Sequence, residues 1–255
     1  MGRLRIGCCY DGSTLSQPGS SATLQSLDVL IFPELVDGGY AALARGAAFH
    51  RASDSFLTGF KTASRLFSLT CIAGSVALIN QNWTQTNTCF VYRKGKQVSR
   101  YDKVHLFKPT GDDRYFVRGS GGSTFPLDAG DRGVRGGIVI CYDVRFPELV
   151  RKLALKQVSV IFVPARWPSV RDDAWRTLLK ARAIENQIFV VGCNALGNEG
   201  GYSYAFDPLG REVFSTRKLR RSPIHSFSLD LDRIRIAKKT HNNLREAVLL
   251  RKTGI

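Results

Sequence analysis

The amino-acid sequence predicts an α/β protein. Short apolar runs typical of buried strands alternate along the chain with stretches whose apolar residues recur at helical spacing. Two hairpin signals, RKGKQ and DPLGRE, add antiparallel strand pairs to this pattern. No linker, low-complexity tract or short-period repeat divides the 255 residues. We therefore expect one domain over residues 1–255, with the tail at about 236–255 as a candidate interface arm.

Eight strands and three helices are predicted from these runs. The strands cover residues 4–9, 28–32, 71–78, 88–92, 134–140, 159–164, 188–193 and 225–231. One helix precedes Cys71, a second begins at Pro147, and a third runs through RDDAWRTLLKARAIENQ. The stretch 11–28, rich in Gly, Ser and Pro, is expected to be a loop with one or two helical turns before Asp28.

The charge and the apolar content of the sequence indicate which classes of binding partner to expect. The net charge of +16 and the isoelectric point near 9.9 favour contact with anions, but the basic residues are scattered and cluster only at 217–221. No nucleic-acid motif accompanies them, so we expect a solvated basic surface and no specific nucleic-acid partner. No segment approaches the ~20 apolar residues needed to cross a bilayer, and the first apolar run is too short for a secretory signal. The sequence therefore predicts no membrane partner and a cytoplasmic location.

Five of the six cysteines read as core residues. Cys8, Cys9, Cys71, Cys89 and Cys193 fall within or beside apolar strand-like runs. None forms a C-x-x-C pair, which disfavours zinc and thioredoxin-like sites. We therefore predict small buried thiols that stay reduced, with no metal and no cofactor.

The sixth cysteine, Cys141, has a different setting in the stretch GGIVICYDVRFPEL. It lies where a buried strand ends and turns toward the helix that Pro147 opens. A thiol at such a turn is exposed at a sheet edge and lies near a helix N-terminus, which favours a nucleophile. Cys193, in VVGCNALG, is the rival candidate because it also ends a strand.

A cysteine nucleophile needs a base and a donor to the attacked carbonyl oxygen. Glu34 follows a buried strand in DVLIFPEL and is a candidate base, with a surface acid at a turn as the alternative. Lys103, in RYDKVHLF, is a candidate oxyanion donor, with an exposed strand lysine as the alternative. His105 shares the strand face of Lys103 and is the competing partner for Cys141 in a Cys–His arrangement.

Taken together, the segments FPEL, YDKVHLF and CYDVRFPEL resemble the motifs of the nitrilase (carbon–nitrogen hydrolase) superfamily in their residues and in their order along the chain. The resemblance continues through PARWP, LLKARAIENQIFVVGCN and GYSYAFDPLG and so covers most of the chain. It implies a four-layer αββα sandwich and a catalytic triad: Cys141 as nucleophile, Glu34 as general base and then acid, and Lys103 as oxyanion donor beside the backbone N–H of Tyr142. It also makes Cys193 a core residue.

Within that superfamily, Cys141-Tyr142-Asp143 looks like the amidase branches, whereas nitrile-cleaving members usually carry Cys-Trp-Glu. The segments CYDVRFP, PARWP and ARAIENQ look most like those of the omega-amidase group. Members of this group hydrolyse the terminal amide of small dicarboxylic acid monoamides through a thioester. The free carboxylate of such a substrate suits an arginine. Arg145 and Arg166 are the candidates, with a structural ion pair as the alternative for each.

Other residues complete the expected pocket. Tyr40 and Trp167 are predicted to contact substrate, with a core role as the alternative for Trp167. The family usually has a second glutamate in wording like EHRYFTPG, and here DDRYFVRG places Asp112 at that position. Its side chain is one methylene shorter, so either Asp112 supports Lys103 or that contact is lost.

Other functions stay open at this point. The chain could be a nitrilase or an N-carbamoyl amidohydrolase of the same superfamily, or an impaired basic binding module on the same scaffold. The resemblance also implies a homodimer or a higher homo-oligomer.

Overall fold

Two β-sheets pack face to face at the centre of the molecule. A computed structural model describes residues 2–10, 15, 21–45, 49–50, 54–129, 133–220 and 222–247. The strands within these ranges are β1 (Arg3–Cys9), β2 (Val29–Ile31), β3 (Phe49–His50), β4 (Thr70–Ile72), β5 (Val76–Ile79), β6 (Gln85–Arg93), β7 (Lys96–Asp102), β8 (Ser123–Pro126), β9 (Arg135–Ile138), β10 (Val160–Ala165), β11 (Phe189–Asn194), β12 (Tyr204–Phe206), β13 (Glu212–Ser215) and β14 (Ile224–Asp230).

Helices cover the outer faces of both sheets. Those within the described ranges are α1 (Ser21–Gln25), α2 (Gly39–Ala44), α3 (Ser55–Leu66), α4 (Asp112–Tyr115), α5 (Pro147–Leu155), α6 (Asp172–Asn186), α7 (Asp232–Thr240) and α8 (Asn243–Glu246). None of these helices is long and apolar enough to cross a bilayer.

The strand order explains where strand ends meet. The first sheet has the order β14-β1-β2-β4-β6-β5-β3, with β7 paired to β6. The second sheet has the order β13-β12-β11-β10-β9-β8. The neighbours β1, β2 and β4 are parallel, as are β9, β10 and β11. Parallel strands release their carboxyl ends at one edge, where open α/β sheets place their ligands.

Alternating side chains separate the layers. On β2, Val29 and Ile31 join the same buried cluster as Val163 of the second sheet, whereas Leu30 between them joins Phe60 of α3. On β11, Gly192 leaves room for Trp175 of α6, whose ring carbon would lie 2.5 Å from an added Cβ. The order is therefore helices, sheet, sheet, helices, which confirms the αββα sandwich.

The structure corrects one predicted strand and adds others. The strand predicted at 71–78 is two strands, β4 and β5, because the chain breaks at Gly74 with φ of +58°. Both hairpin signals are confirmed, since β6 pairs with β7 and β12 pairs with β13. The pattern missed β3 and β8, which are short and carry little alternation. The three predicted helices correspond to α3, α5 and α6.

Two segments singled out by composition are described only in part. Of the stretch 11–28, residues 15 and 21–28 are described, and α1 supplies the helical turn expected before Asp28. Of the tail at 236–255, the part through residue 247 is described. Gln187 at the end of α6 donates to the Ala237 carbonyl at 2.9 Å, so this part packs on its own chain. Residues 248–255 lie outside the described residues.

The break at Gly74 positions the segment that carries Glu34. The Ser75 N–H donates to the Pro33 carbonyl at 3.2 Å, and the Ser75 hydroxyl accepts from the Leu35 N–H at 3.0 Å. A Cβ on Gly74 would lie 2.0 Å from that same Pro33 oxygen. Only glycine fits this approach, because the positive φ and the contact each exclude a side chain.

We expect Gly74→Ala to lower the free energy of unfolding by about 2 kcal/mol or more, since it adds left-handed strain to a collision with backbone. Urea denaturation followed by circular dichroism measures the change. Gly59→Ala is the matched control, because an added Cβ there meets nothing within 4 Å in the exposed middle of α3. It should instead stabilise the protein by about 0.5–1 kcal/mol. Equal effects from the two variants would contradict this account.

Candidate active site

Three strand ends bring Glu34, Lys103 and Cys141 into one place. Glu34 comes three residues after β2, and Lys103 directly follows β7. Cys141 comes three residues after β9 and begins a 3₁₀ turn, Cys141–Arg145. Glu34 and Lys103 are buried, and Cys141 is 7% exposed. The predicted convergence of a thiol, an acid and an ammonium is present in the structure.

The Lys103 ammonium is held between two carboxylates. Its Nζ lies 2.7 Å from Glu34 Oε1 and 2.6 Å from Asp112 Oδ2, and all three side chains are excluded from solvent. Burial by itself lowers the pKa of Lys103, but the charges of Glu34 and Asp112 outweigh it and raise that pKa well above its usual value. Lys103 is therefore a permanent cation.

Asp112 contacts Lys103 although its side chain is one methylene shorter than the glutamate that the family usually has. Besides its bond to Lys103, Asp112 Oδ2 accepts from the Phe107 N–H at 2.9 Å. The residue begins α4, directly after Gly111 in the left-handed conformation. This tight turn brings the shorter side chain close to the ammonium, so the alternative of a lost contact is wrong.

Glu34 has donors on both carboxylate oxygens. Oε1 accepts from Asn87 at 2.9 Å and from the Tyr40 hydroxyl at 3.3 Å, in addition to Lys103. Oε2 accepts from the Arg166 backbone N–H at 3.1 Å. Burial and the nearby Glu34 raise the pKa of Tyr40 well above its usual value, so its hydroxyl stays a donor. Asn87 was not predicted, because a lone amide within a strand pattern gives no signal.

Cys141 has a strained backbone and a protonated thiol. Its φ is +45°, in the left-handed region that a non-glycine residue adopts at a cost of about 1–3 kcal/mol. The thiol donates to the Arg166 carbonyl at 3.8 Å, and the Glu34 carboxylate lies near enough to act on the thiol electrostatically. Burial raises the pKa of the Cys141 thiol well above its usual value, Glu34 raises it further, and Lys103 opposes both. The resting thiol therefore needs a base to become a nucleophile.

Asp143 ties the cysteine turn to the lysine segment. Its Oδ2 accepts from the Tyr101 hydroxyl at 2.6 Å and from the Ile140 N–H at 3.0 Å. Its Oδ1 accepts from the His105 N–H at 2.8 Å and lies 2.9 Å from His105 Nδ1. Tyr101 and His105 flank Lys103 on either side, so one carboxylate sets the distance between the ammonium and the thiol.

The hydrogen bond of the Cys141 thiol goes to the Arg166 carbonyl, whereas His105 is bound to Asp143. Its ring pairs with Asp143 and stacks on Phe146 with a centroid distance of 3.6 Å. The described contacts give no support to the Cys–His arrangement considered from the sequence for His105. Cys193, the rival nucleophile, is buried between the sheets and donates to the Ile31 carbonyl at 3.5 Å, as expected of a core residue.

A pocket of about 360 Å³ opens onto Cys141 and Lys103. Aromatic and cationic side chains line the rest of it: Tyr40, Phe107, Tyr142, Arg145, Arg166, Trp167 and Arg171, together with Thr110 and Pro168. A thiol and an ammonium in such a pocket would meet one polar group of a small ligand, while the arginines offer contacts for an anionic group elsewhere on it.

The predicted substrate contacts take different positions in this pocket. Trp167 belongs both to the pocket wall and to the core, since it is 5% exposed and stacks on Trp175. Arg145 lies at the rim, with its guanidinium 4.9 Å from the Trp167 ring centroid. Arg166 instead forms an ion pair with Glu199 at 3.1 Å. Of the two arginine candidates, Arg166 is therefore the structural one.

The sequence analysis did not identify two further residues at the rim of the pocket. Phe107 and Arg171 line the pocket, with the Arg171 guanidinium 5.2 Å from the Phe107 ring centroid. Phe107 lies four residues after Lys103 in the quoted segment, so its position gave a usable signal. Arg171 lies in a short 3₁₀ turn, Ser169–Arg171, whose sequence has no distinguishing pattern.

A thiol and an ammonium that share one pocket, with two buried carboxylates against the ammonium, suit a hydrolase that works through a cysteine. A family model described as carbon–nitrogen hydrolase matches residues 14–238. The chain belongs to the carbon–nitrogen hydrolase family and is omega-amidase-like within the nitrilase superfamily.

Individual relatives agree with this assignment. The 2-oxoglutaramate amidase of Bacillus subtilis is 38% identical over 190 residues, 72% of this chain and 71% of that protein. An omega-amidase of Escherichia coli is 34% identical over 195 residues, 74% of this chain and 72% of that protein. The solved structure of XC1258 from Xanthomonas campestris, a CN-hydrolase superfamily protein, is 23% identical, covers 98% of this chain and 97% of that chain, and superposes with a TM-score of 0.80. That structure supports the fold.

The contacts of Lys103 and His105 predict opposite sensitivities to substitution. Lys103→Ala should lower the rate of amide hydrolysis by ~10²–10³, because it removes the buried cation beside the thiol. His105→Ala should cost about tenfold or less, because it removes only one hydrogen bond to Asp143, worth about 1 kcal/mol. Steady-state ammonia release measures both, with melting temperatures as the check on folding. A larger loss in His105→Ala would contradict the assignment.

Proposed function

We propose that the chain hydrolyses the terminal amide of small dicarboxylic acid monoamides to the dicarboxylic acid and ammonia. The observation that carries the proposal is the convergence of Cys141, Lys103 and Glu34 at the base of one pocket. The names of the relatives above, both amidases, support the reaction class. The cationic rim supports a substrate with an anionic end.

In the first half of the proposed reaction, the Cys141 sulfur attacks the amide carbon. Glu34 takes the thiol proton, a role supported by its electrostatic effect on the thiol and by the Arg166 peptide, which contacts both groups. The carbonyl oxygen becomes an oxyanion, for which Lys103 and the backbone N–H of Tyr142 are the proposed donors. Glu34 then returns the proton to the departing nitrogen, the C–N bond breaks, and ammonia leaves behind a thioester.

In the second half, water hydrolyses the thioester. Glu34 takes a proton from the water, which attacks the thioester carbon, and the same donors hold the second oxyanion. The C–S bond then breaks, and the proton returns to sulfur as the carboxylic acid leaves. Asp112 keeps Lys103 charged and in place throughout, because it supplies the second carboxylate at 2.6 Å.

The distal carboxylate of the substrate is proposed to meet Arg145 and Arg171. Both guanidinium groups lie at the rim and are stacked on aromatic rings, which limits their freedom before binding. The walls formed by Phe107, Tyr142 and Trp167 suit a short aliphatic spacer between the amide and the carboxylate.

The alternatives have less support. An impaired binding module was motivated by the net charge of +16, the polar stretch 11–28 and Asp112, and of these the contact of Asp112 with Lys103 is intact. Nitriles and N-carbamoyl compounds would need the same nucleophile. The turnover of a nitrile is an outcome of the experiment below, and the N-carbamoyl alternative stays a prediction from the sequence. The cytoplasmic location and the homodimer or higher homo-oligomer remain predictions from the sequence.

We expect ammonia release from succinamate and glutaramate, with slower or no release from an aliphatic nitrile of equal length. The physical reason is that the pocket offers a cationic rim for the far carboxylate as well as the thiol for the amide carbon. Coupled ammonia assays on wild type measure the rates. Cys141→Ala is the control and should release no ammonia above background. Faster turnover of the nitrile, or equal rates from Cys141→Ala, would overturn the proposal.

Arg145→Met should raise the KM for succinamate by about ten- to hundredfold, the range expected from losing a charge-assisted hydrogen bond of about 1.5–3 kcal/mol. Methionine keeps an unbranched apolar side chain at this position but removes the guanidinium that lies over the Trp167 ring. The same variant should hydrolyse the neutral amide butyramide with an unchanged KM, which makes the second substrate the internal control. Equal changes for both amides would show that Arg145 does not recognise the carboxylate.

A further inference from the structure

Arg166 and Glu199 form an ion pair that joins three segments of the proposed active site. Arg166 directly follows β10, and Glu199 lies in the loop after β11. Arg166 Nη1 lies 3.1 Å from Glu199 Oε2. Neither residue has a proposed role in bond making, and Glu199 lies in no motif noted in the sequence.

The other guanidinium donors of Arg166 hold the backbone beside the proposed base. Nε donates to the Glu34 carbonyl and Nη2 donates to the Leu35 carbonyl, each at 2.8 Å. Leu35 has a φ of +45°, which is unfavourable for a branched side chain. Ser75 fixes the N–H of Leu35 and Arg166 fixes its carbonyl, so the strained residue is constrained from both sides.

Glu199 holds the neighbouring pocket wall. Its Oε2 accepts from the Tyr40 N–H at 3.2 Å, and its Oε1 accepts from the Ala41 N–H at 3.0 Å. These N–H groups belong to the first turn of α2, where helix geometry leaves them without a partner. A Cβ on Gly39 would lie 2.4 Å from Glu199 Oε2 and 2.6 Å from Arg166 Cζ, so the pair is pressed against the start of α2.

Arg166 also touches the base and the nucleophile directly through its backbone. Its N–H donates to Glu34 Oε2 at 3.1 Å, and its carbonyl accepts from the Cys141 thiol at 3.8 Å. A shift of this one residue would therefore change the geometry of both reacting groups. A misplacement of about 1 Å can cost ~10²-fold in rate.

We propose that Arg166 and Glu199 are a positioning pair that sets the orientation of Glu34 toward Cys141 and of Tyr40 toward Glu34. The inference rests on the role of Glu34 proposed above. Three of the five guanidinium N–H groups of Arg166 donate to acceptors within the protein, which favours a structural role over a substrate contact. Glu199 acts through Arg166 and through the N–H groups of α2.

Two readouts test the pair. Glu199→Ala should lower kcat for succinamate about hundredfold with KM within about twofold, and Glu199→Gln should recover part of this loss, because an amide oxygen still accepts hydrogen bonds. Alkylation of Cys141 by iodoacetamide, followed by mass spectrometry, should slow in the same order, because it also needs Glu34 to take the thiol proton. Arg166→Lys should resemble Glu199→Ala, since a lysine cannot reproduce the planar fork.

Glu212→Gln is the matched control. Glu212 pairs with Arg176 at 2.7 Å and its side chain is 31% exposed, against 34% for Glu199, but it lies outside the pocket lining. The control should match wild type in both readouts. Unchanged kcat and alkylation in Glu199→Ala, a raised KM at constant kcat, or an equal loss in Glu212→Gln would each overturn the inference.

The two proposals fail in different ways. If wild type releases no ammonia from succinamate, the proposed function is wrong, and the alkylation rates still decide the role of the pair. If wild type is active while Glu199→Ala matches it, only the positioning role is wrong. Should Glu199→Ala not fold, the same outcomes are read from Glu199→Gln, which keeps the size of the side chain.

Discussion

The burial of one ammonium between two carboxylates is the constraint on which the rest of this structure depends. Removing Lys103 from water is costly, and only close, well-oriented partners compensate for the loss of hydration. Glu34 and Asp112 lie at 2.7 and 2.6 Å from the ammonium, and neither belongs to the strand that leads to it. Three segments must therefore meet within fractions of an ångström, and much of the surrounding hydrogen bonding holds those segments in register.

Backbone strain is concentrated at the same place. Leu35 and Cys141 both have φ of +45°, and each lies next to a proposed reacting group or is one. Such conformations persist where neighbouring contacts determine them. Leu35 is held by Ser75 and Arg166, and Asp143 holds the turn that begins at Cys141. The sandwich thus provides a rigid frame in which a thiol and an acid face each other before any ligand arrives.

The cationic side chains that line the pocket also differ in their roles. Lys103 is buried and fully paired with carboxylates, Arg166 is bound to backbone carbonyls and Glu199, and Arg145 lies over aromatic rings at the rim. The last of these is the best placed to meet a ligand's charge. Residue type alone does not separate these tasks, because all three are basic residues near strand ends. Their exposure and their hydrogen-bond partners separate them.

The amino-acid sequence by itself determined the α/β class, most strands, the three main helices and the ordered motifs around Glu34, Lys103 and Cys141. These features follow from local periodicity and from short segments whose residues resemble the motifs of the family. The tertiary structure decided what depends on distant partners: the break at Gly74, the reach of Asp112, the pairing of His105 with Asp143, and the contacts of Asn87 and Glu199. The physical reason is that a hydrogen bond between residues more than a hundred positions apart, such as Arg166 to Glu34, leaves no periodic trace in either segment.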